Sequence, residues 1–512
     1  MVWSFRTAVL LLRSFVSAAA ACAVLVPGAA GAADAVPDAA ALRAQVDAAK
    51  GAEPANYRDT IVETGSYTGR TIHYQIGKDY RETDDEGPVH TEEGTFQGES
   101  WHLSANGLVV VEQPDPVNET VASGGDRAVA TVTRVTTPVD GYLIAELNRS
   151  GHGTRTYVDP VSHQPLREEI ISARGTRTYV YSGYRTFGTY TVPTQWTYEN
   201  TATGTKVAFT RELAIGAATP ADIAEPDTSR SIVAFPAGVR RVDLPVRFEN
   251  DRMYVRVMIG GRGYDFVLDT GSGSITLNAD VAKQLGLTMT NEITAIQAGK
   301  VREANTIVPL MTVGPLTMHD VAVVVVPVEE QTDDTKIVGL LGFDFLATLG
   351  VHIDYVHKTV WVEPGQTFTA PAGPGAYRLD VRLGTQQPVT TVVLDGVVAP
   401  RFALDTGADG TMMIFDGFAS RHPDAFRVGV SSQSFIGVGG TFTSHGYNFG
   451  SVRLGSIAFT NFIGYRISTP DIYDDEWDGL LGTQLLHFFN LDLDFLHGQI
   501  FLTVNANGKQ RS

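Results

Sequence analysis

Cysteine is all but missing from this chain of 512 residues: Cys22 is the only one. No intrachain disulfide can form, so the fold rests on packing and hydrogen bonding. Basic residues are in deficit, 39 Lys and Arg against 57 Asp and Glu, and the formal net charge is −18. A nucleic acid or other polyanion requires a basic field, so no nucleic-acid partner is expected. Long apolar runs are also missing. The longest candidate after the N-terminal segment is the short Val321–Val328 stretch, well below the roughly 18 residues of a membrane-spanning helix, so no integral span is expected. There is no His-Glu-x-x-His, no Gly-x-Ser-x-Gly and no Gly-x4-Gly-Lys-Ser/Thr, which removes the zinc-protease, serine-elbow and P-loop signatures. What is present is 43% hydrophobic composition, enough for real cores, and 52 Gly among Thr- and Val-rich segments. That composition points to a mainly β chain with many turns.

The first segment reads as a processing signal. Arg6 and Arg13 give a positive start, Ser14 to Pro27 is apolar and uncharged, and Ala30-Gly31-Ala32 supplies a small-residue cleavage pattern. Residues 1–32 are therefore expected to be a signal peptide, and the protein periplasmic or secreted. Their removal takes two positive charges and no negative one, which carries −18 to about −20. Acylation of Cys22 is the competing reading, but Ala19 stands three positions before it, where a lipoprotein signal has Leu or Val.

Two Pro/Gly/Ala-rich stretches, Ile215–Gly238 and Glu363–Gly375, divide the rest and read as extended, poorly packed connections. The expected units are an N-terminal β-rich domain at 33–225, a linker at 226–238, a second unit at 239–363, a linker at 364–375 and a third unit at 376–505. The N-terminal unit opens with a helical pattern near Ala41–Ala49 and continues as alternating strands such as Tyr67–Tyr74 and Gly107–Glu112. Gly-Thr-Arg-Thr-Tyr-Val occurs at 153–158 and again at 175–180, which suits neighbouring antiparallel strands, with Asp159–Leu166 as a hairpin turn. Through that Asp-Pro…Pro-Leu-Arg turn, Tyr184-Arg185-Thr186 and Val192-Pro193, the stretch Tyr57–Leu213 resembles the half-barrel of periplasmic lipoprotein-carrier and sigma-regulator sensor domains. That resemblance implies a lipid or protein partner for this unit; a plain β domain without ligand is the alternative.

The second and third units repeat each other. Phe266-Val267-Leu268-Asp269-Thr270-Gly271 matches Phe402-Ala403-Leu404-Asp405-Thr406-Gly407. Gly339-Leu340-Leu341-Gly342 matches Gly479-Leu480-Leu481-Gly482, and Ile353-Asp354-Tyr355 matches Leu493-Asp494-Phe495. The offsets are 136, 140 and 140 residues, so one fold of about 130 residues occurs twice. A lone Asp-Thr-Gly arises by chance in roughly one chain in ten of this length; two copies with the same flanks do not.

An apolar strand that ends in Asp delivers a carboxylate from a rigid core, and Gly lets the chain turn sharply and bring a backbone N–H to it. Both segments resemble the active-site strands of retropepsin-like aspartic proteases, and Asp405-Thr406-Gly407-Ala408-Asp409-Gly410-Thr411 is especially similar to the retroviral form. The resemblance covers about 239–505. It implies two tandem acid-protease lobes about a pseudo-twofold axis, with Asp269 and Asp405 as the catalytic pair. Thr270, Gly271, Ser272, Thr406, Gly407 and Ala408 would support the pair, and Gly342 and Gly482 would form the loops behind it. On this resemblance no cofactor and no metal would be needed, and the substrate would be a polypeptide. The competing function is a non-catalytic periplasmic peptide- or lipid-binding or sensor protein that keeps the protease fold.

The resemblance also implies a flap hairpin between each Asp and its Leu-Leu-Gly, for which Phe435–Phe442 and Ile296–Val301 are the candidates. Asp409, Ser272 and Ser274 are read as solvated turn residues, with tuning of the pair as the alternative. His352, His357, His487 and His497 are spaced as strand ends rather than as a zinc set. The acidic run Asp471–Asp478 reads as a solvated loop without calcium-ligand spacing, and the acidic residues of 79–99 as an exposed strand face or loop.

Overall fold

The computed structural model describes residues 36–111, 129–148, 151–172, 175–226, 231–296, 300–328, 330–331, 336–371, 375–383, 386–426, 429–437, 440–468 and 477–509. The processing segment and Cys22 lie outside the described residues. Among the described residues the fold is mainly β, arranged as four sheets.

Thirteen antiparallel strands between Asn56 and Ile215 form the first sheet. The opening strand Asn56–Gly65 lies between Gly69–Ile76 and the closing strand Lys206–Ile215, so both ends of the unit meet mid-sheet. Period-2 alternation buries Tyr57, Asp59, Ile61 and Glu63 on one face of the opening strand. On the neighbouring strands Tyr179, Tyr181, Trp196, Tyr198, Val207 and Phe209 complete an aromatic cluster with Ile61 and Tyr67. The expected helix is present at Ala39–Lys50; the Asp38 carboxylate caps it by accepting from Ala41 N–H at 2.8 Å, and Leu42 packs on Ile144 and Val158. Gly51 ends it at φ +72°, where a Cβ would stand 1.9 Å from the Thr189 carbonyl oxygen.

Two expectations about this sheet need correction. The repeated hexapeptide strands are not neighbours: Gly153–Val158 and Gly175–Phe187 flank the intervening strand Pro165–Ser172, because the Asp159 turn folds that strand back between them. Nor are the acidic residues of 79–99 uniformly exposed. Glu82 and Glu92 are buried, Glu82 against His73 and Glu92 against Arg81 and His90.

The repeated half shows the same strand crossing twice. Arg262–Leu268 runs parallel to Lys336–Leu341, pairing Phe266 with Gly339 and Leu268 with Leu341. Val397–Leu404 runs parallel to Gly479–Leu481, pairing Phe402 with Gly479 and Leu404 with Leu481. In each copy a short strand, Thr276–Asn278 or Met412–Phe415, lies antiparallel to the second member and parallel to a later strand. The repeated Phe and the first repeated Gly explain each other. A Cβ at Gly339 would lie 2.2 Å from the Phe266 ring, and one at Gly479 would lie 2.6 Å from the Phe402 ring.

A six-stranded sheet joins the copies through the antiparallel pair Leu349–Asp354 and Phe489–Asp494, where Val351 faces Leu493. His352 therefore sits within a strand at this seam, not at its end. Its ring stacks on Trp361 at 3.5 Å and contacts Asp492 at 2.6 Å and Glu363 at 3.3 Å. Asp478 is not in a solvated loop either: it is buried against Arg401 at 3.0 Å and Arg421 at 2.8 Å. Residues 471–476 of that acidic run lie outside the described residues. The first connection is better packed than its composition suggests. Val233 joins the large core, and Ala234 exchanges backbone hydrogen bonds with Thr317.

Candidate active site

Each Asp stands one residue past the end of its strand, where the backbone N–H is already committed. Asp269 N–H donates to Leu341 O at 3.0 Å and Asp405 N–H to Leu481 O at 2.9 Å. The side chain alone is left to project from the sheet. The following glycines turn the chain back, so Gly271 N–H donates to Asp269 Oδ1 and Gly407 N–H to Asp405 Oδ1, both at 2.8 Å. Ala408 N–H gives Asp405 a second bond at 2.9 Å, whereas Ser272 N–H turns to the Asp269 backbone oxygen at 3.3 Å.

The two loops interlock. Thr270 Oγ1 donates to Leu404 O at 2.6 Å and accepts from Thr406 N–H at 3.0 Å. Thr406 Oγ1 donates to Leu268 O at 2.8 Å and accepts from Thr270 N–H at 3.1 Å. Both Thr residues are buried, so this ring of four bonds crosses between the copies without water. The carboxylates are thereby brought against the opposite glycines. A Cβ on Gly271 would lie 2.3 Å from Asp405 Cγ, and a Cβ on Gly407 would lie 2.4 Å from Asp269 Cγ. Asp-Thr-Gly is thus required three times over: a carboxylate, a hydroxyl for the other copy and a missing Cβ for the other carboxylate.

Behind the loops the second glycine pair fits under backbone. A Cβ at Gly342 would meet Ser274 O at 2.3 Å and Ser272 O at 2.4 Å; one at Gly482 would meet Gly410 O at 2.5 Å and Ala408 O at 2.8 Å. Phe343 N–H and Thr483 N–H donate back to Ser272 O at 2.8 Å and Ala408 O at 2.9 Å. Ser272 is buried and donates to Ser274 O at 2.8 Å, so it braces the turn instead of facing solvent; Asp409 is exposed. Burial, the Asp269 charge and a hydrogen bond with Asp269 push the Asp405 carboxyl well above the usual carboxylate range.

Gln387 escaped the sequence reading. It enters from the second copy and donates from Nε2 to Gly271 O at 2.6 Å, buried with Oε1 unpaired among the described residues. No motif marks it, because it lies 18 residues before Asp405 and contacts the other copy's loop. Both flap candidates span hairpin turns. Thr290–Ile296 pairs with Lys300–Val313 and Gly429–Gly437 with Gly440–Leu454; residues 297–299 and 438–439 lie outside the described residues. Among the described residues no group of His, Cys, Asp or Glu is arranged to hold a metal ion, and no helix is long and apolar enough to cross a membrane.

Residues 255–345 match the family model described as aspartyl protease. The match takes in Asp269 and Gly342 and ends before the second copy. No curated protein matches the chain. Among solved structures, a LolA superfamily protein of Nitrosomonas europaea aligns at 10% identity, over 37% of this chain and 98% of that one, with a TM-score of 0.27. A likeness that slight carries no argument about the N-terminal sheet.

Proposed function

We propose that the protein is an exported aspartic endopeptidase whose two fused lobes, 239–363 and 376–505, share one active site. The observation that carries this reading is the closed ring of Thr270 and Thr406 bonds, which brings Asp269 and Asp405 together at opposed glycines. The aspartyl protease match over the first copy supports the same class, and the N-terminal signal pattern supports export.

Two carboxyl groups in contact do not both ionise readily, so the pair holds one proton across a range of pH. The ionised member takes a proton from a water seated between them, and that water attacks the scissile peptide carbon. The protonated member donates to the carbonyl oxygen as negative charge develops there. Collapse of the tetrahedral species passes a proton to the leaving amine and restores the shared-proton pair. Backbone N–H groups of Gly271, Gly407 and Ala408 hold the carboxylates still, so little reorganisation accompanies the transfer. The pair titrates as a unit and neither role is fixed to one residue.

The test is cleavage of an unstructured protein by the full chain and by Asp269→Asn and Asp405→Asn. Each single variant should keep its fold by circular dichroism and lose at least ~10³-fold in rate, since neither half of the site suffices. Full cleavage by either variant would refute the shared pair. Wild-type activity should fall as pH rises through the upper titration of the pair, because the second ionisation removes the proton donor.

A further inference from the structure

We propose that the N-terminal sheet is a permanent clamp on the first lobe's hairpin, leaving the second lobe's hairpin as the one that opens for substrate. The opening role rests on the protease reading; the clamp itself does not.

Two anchors make the clamp. The first is on the hairpin. Asn291, in its first arm Thr290–Ile296, accepts from Thr68 N–H at 3.1 Å and donates from Nδ2 to Thr68 O at 3.0 Å. A side-chain amide thus reproduces a backbone bridge to the N-terminal sheet. Asn291 takes φ +52°, and the arm's register against Lys300–Val313 shifts between Thr290 and Ile293, so the arm is bent at the contact. Two residues on, Ile293 packs against the aromatic cluster of the N-terminal sheet. Gly87 lies so close to Thr290 that an added Cβ would stand 3.0 Å from its Oγ1.

The second anchor holds the other arm from behind. Lys300–Val313 pairs along Leu316–Val326, and the buried Asn106 grips that strand at one residue. Its Nδ2 donates to Ala322 O at 3.0 Å and its Oδ1 accepts from Ala322 N–H at 2.9 Å. The same Nδ2 donates to Asp344 Oδ2 at 2.8 Å, and Asp344 lies two residues beyond Gly342, behind the catalytic loop. Ser104 Oγ presets this plug by accepting from Asn106 N–H and Leu108 N–H, both at 3.3 Å. Leu108 and Val110 then enter the same core as the catalytic strands.

Losing the N-terminal unit would strip partners from the Ala322 backbone and the buried Asp344, and would open that core. A cleaved pro-segment does not fit such an anchor. The first arm of each hairpin ends its own sheet, Thr290–Ile296 in one and Gly429–Gly437 in the other, and the anchors above fall on the first. With the first hairpin fixed by these anchors, the opening motion falls to the second lobe.

The experiment uses the full chain in two arms. Backbone hydrogen exchange should be slow across 300–313 and at least ~10-fold faster across 440–454, and Asn291→Ala should raise exchange in 300–313 by about tenfold. Equal exchange in the two hairpins would overturn the clamp, as would no change in Asn291→Ala. In the second arm, a Thr68→Cys/Asn291→Cys pair is bridged by a short bifunctional thiol reagent in a chain with Cys22→Ala. Bridged and unbridged forms should cleave an unstructured protein at rates within about twofold, less than 0.5 kcal/mol apart. Loss of cleavage on bridging would show that the first hairpin must leave the sheet, and would overturn the proposal. Exchange is read without catalysis. A failed Asp269→Asn test would therefore sink the protease reading while leaving the clamp standing or falling on its own result.

Discussion

Replacing Thr270 by Val removes one hydroxyl and almost nothing else, because the two side chains have nearly the same shape. The hydroxyl donates to Leu404 O at 2.6 Å and accepts from Thr406 N–H at 3.0 Å, in a residue 2% exposed. Val leaves a buried C=O and a buried N–H without partners and with no room for water. Each such orphan costs about 1–3 kcal/mol, so the variant should lose about 2–6 kcal/mol. That is a large share of a typical total of about 5–15 kcal/mol. Thr406→Val strands Leu268 O and Thr270 N–H in the same way and should cost as much. Thr270→Ser keeps both bonds and loses only a methyl group, about 1 kcal/mol.

Urea unfolding at constant slope gives these differences directly. The double Val variant should cost less than the sum of the singles by at least about 1 kcal/mol, because all four bonds belong to one ring that the first substitution already loosens. The rate should fall with stability, by about 10²-fold, since a shift of about 1 Å in either loop misplaces a carboxylate. Equal stability of Thr270→Val and Thr270→Ser, or a change below about 0.5 kcal/mol in Thr270→Val, would refute the account of how the carboxylates are joined.

Two further outcomes concern the opposed glycines and a buried acid of the N-terminal sheet. Gly271→Ala and Gly407→Ala place a methyl group 2.3 and 2.4 Å from the opposite carboxyl carbon; each should lower kcat by at least about 10²-fold while costing about 1–3 kcal/mol in stability, and wild-type kcat in either would refute the close approach. Glu63 is buried on the N-terminal sheet, and burial, followed by the charges of Glu86, Asp84 and Glu82, pushes its carboxyl up to about 8. A carboxyl raised in the folded state contributes stability fully present below its unfolded pKa and lost as pH rises through about 8. Thermal and urea unfolding should therefore show up to about 4 kcal/mol lost between pH 5 and 8 by the wild type and retained by Glu63→Gln; parallel pH profiles would contradict it.

The repeated motifs were legible in the sequence because their causes are local. Phe266 and Gly339, or Phe402 and Gly479, are fixed by a ring that leaves no space for a Cβ, and such steric constraints put the same residues in both copies. Burial of charge was not legible. Glu82, Glu92 and Asp478 look like solvated acids in the chain and become interior only in the folded sheets, Glu82 beside His73, Glu92 beside Arg81 and His90, and Asp478 beside the distant Arg401 and Arg421. Gln387 and Asn106 were invisible for a similar reason. One amide reaching across 116 residues and another across 238 leave no periodicity to read. The order of the hexapeptide strands failed because a tight turn predicts a hairpin, yet not which third strand completes the sheet.

The two Asp-Thr-Gly loops are alike in sequence and different in their surroundings. Asp405 receives two backbone N–H groups where Asp269 receives one, and Ser272 is tied to Ser274 where the second copy has Ala408. Gln387 braces Gly271 from the second copy, and residue 251, at the 136-residue offset from it, is an Asp that pairs with His487 instead. A symmetric homodimer built from one such copy would have to give both carboxylates the same loop. Joining the copies in one chain releases that constraint, so each loop can be adjusted without changing the other. The Thr ring keeps the symmetry that holds the carboxylates in contact, while the outer contacts break it. A pair that shares one proton needs the contact, which makes the second ionisation difficult, and the outer contacts are free to differ around it.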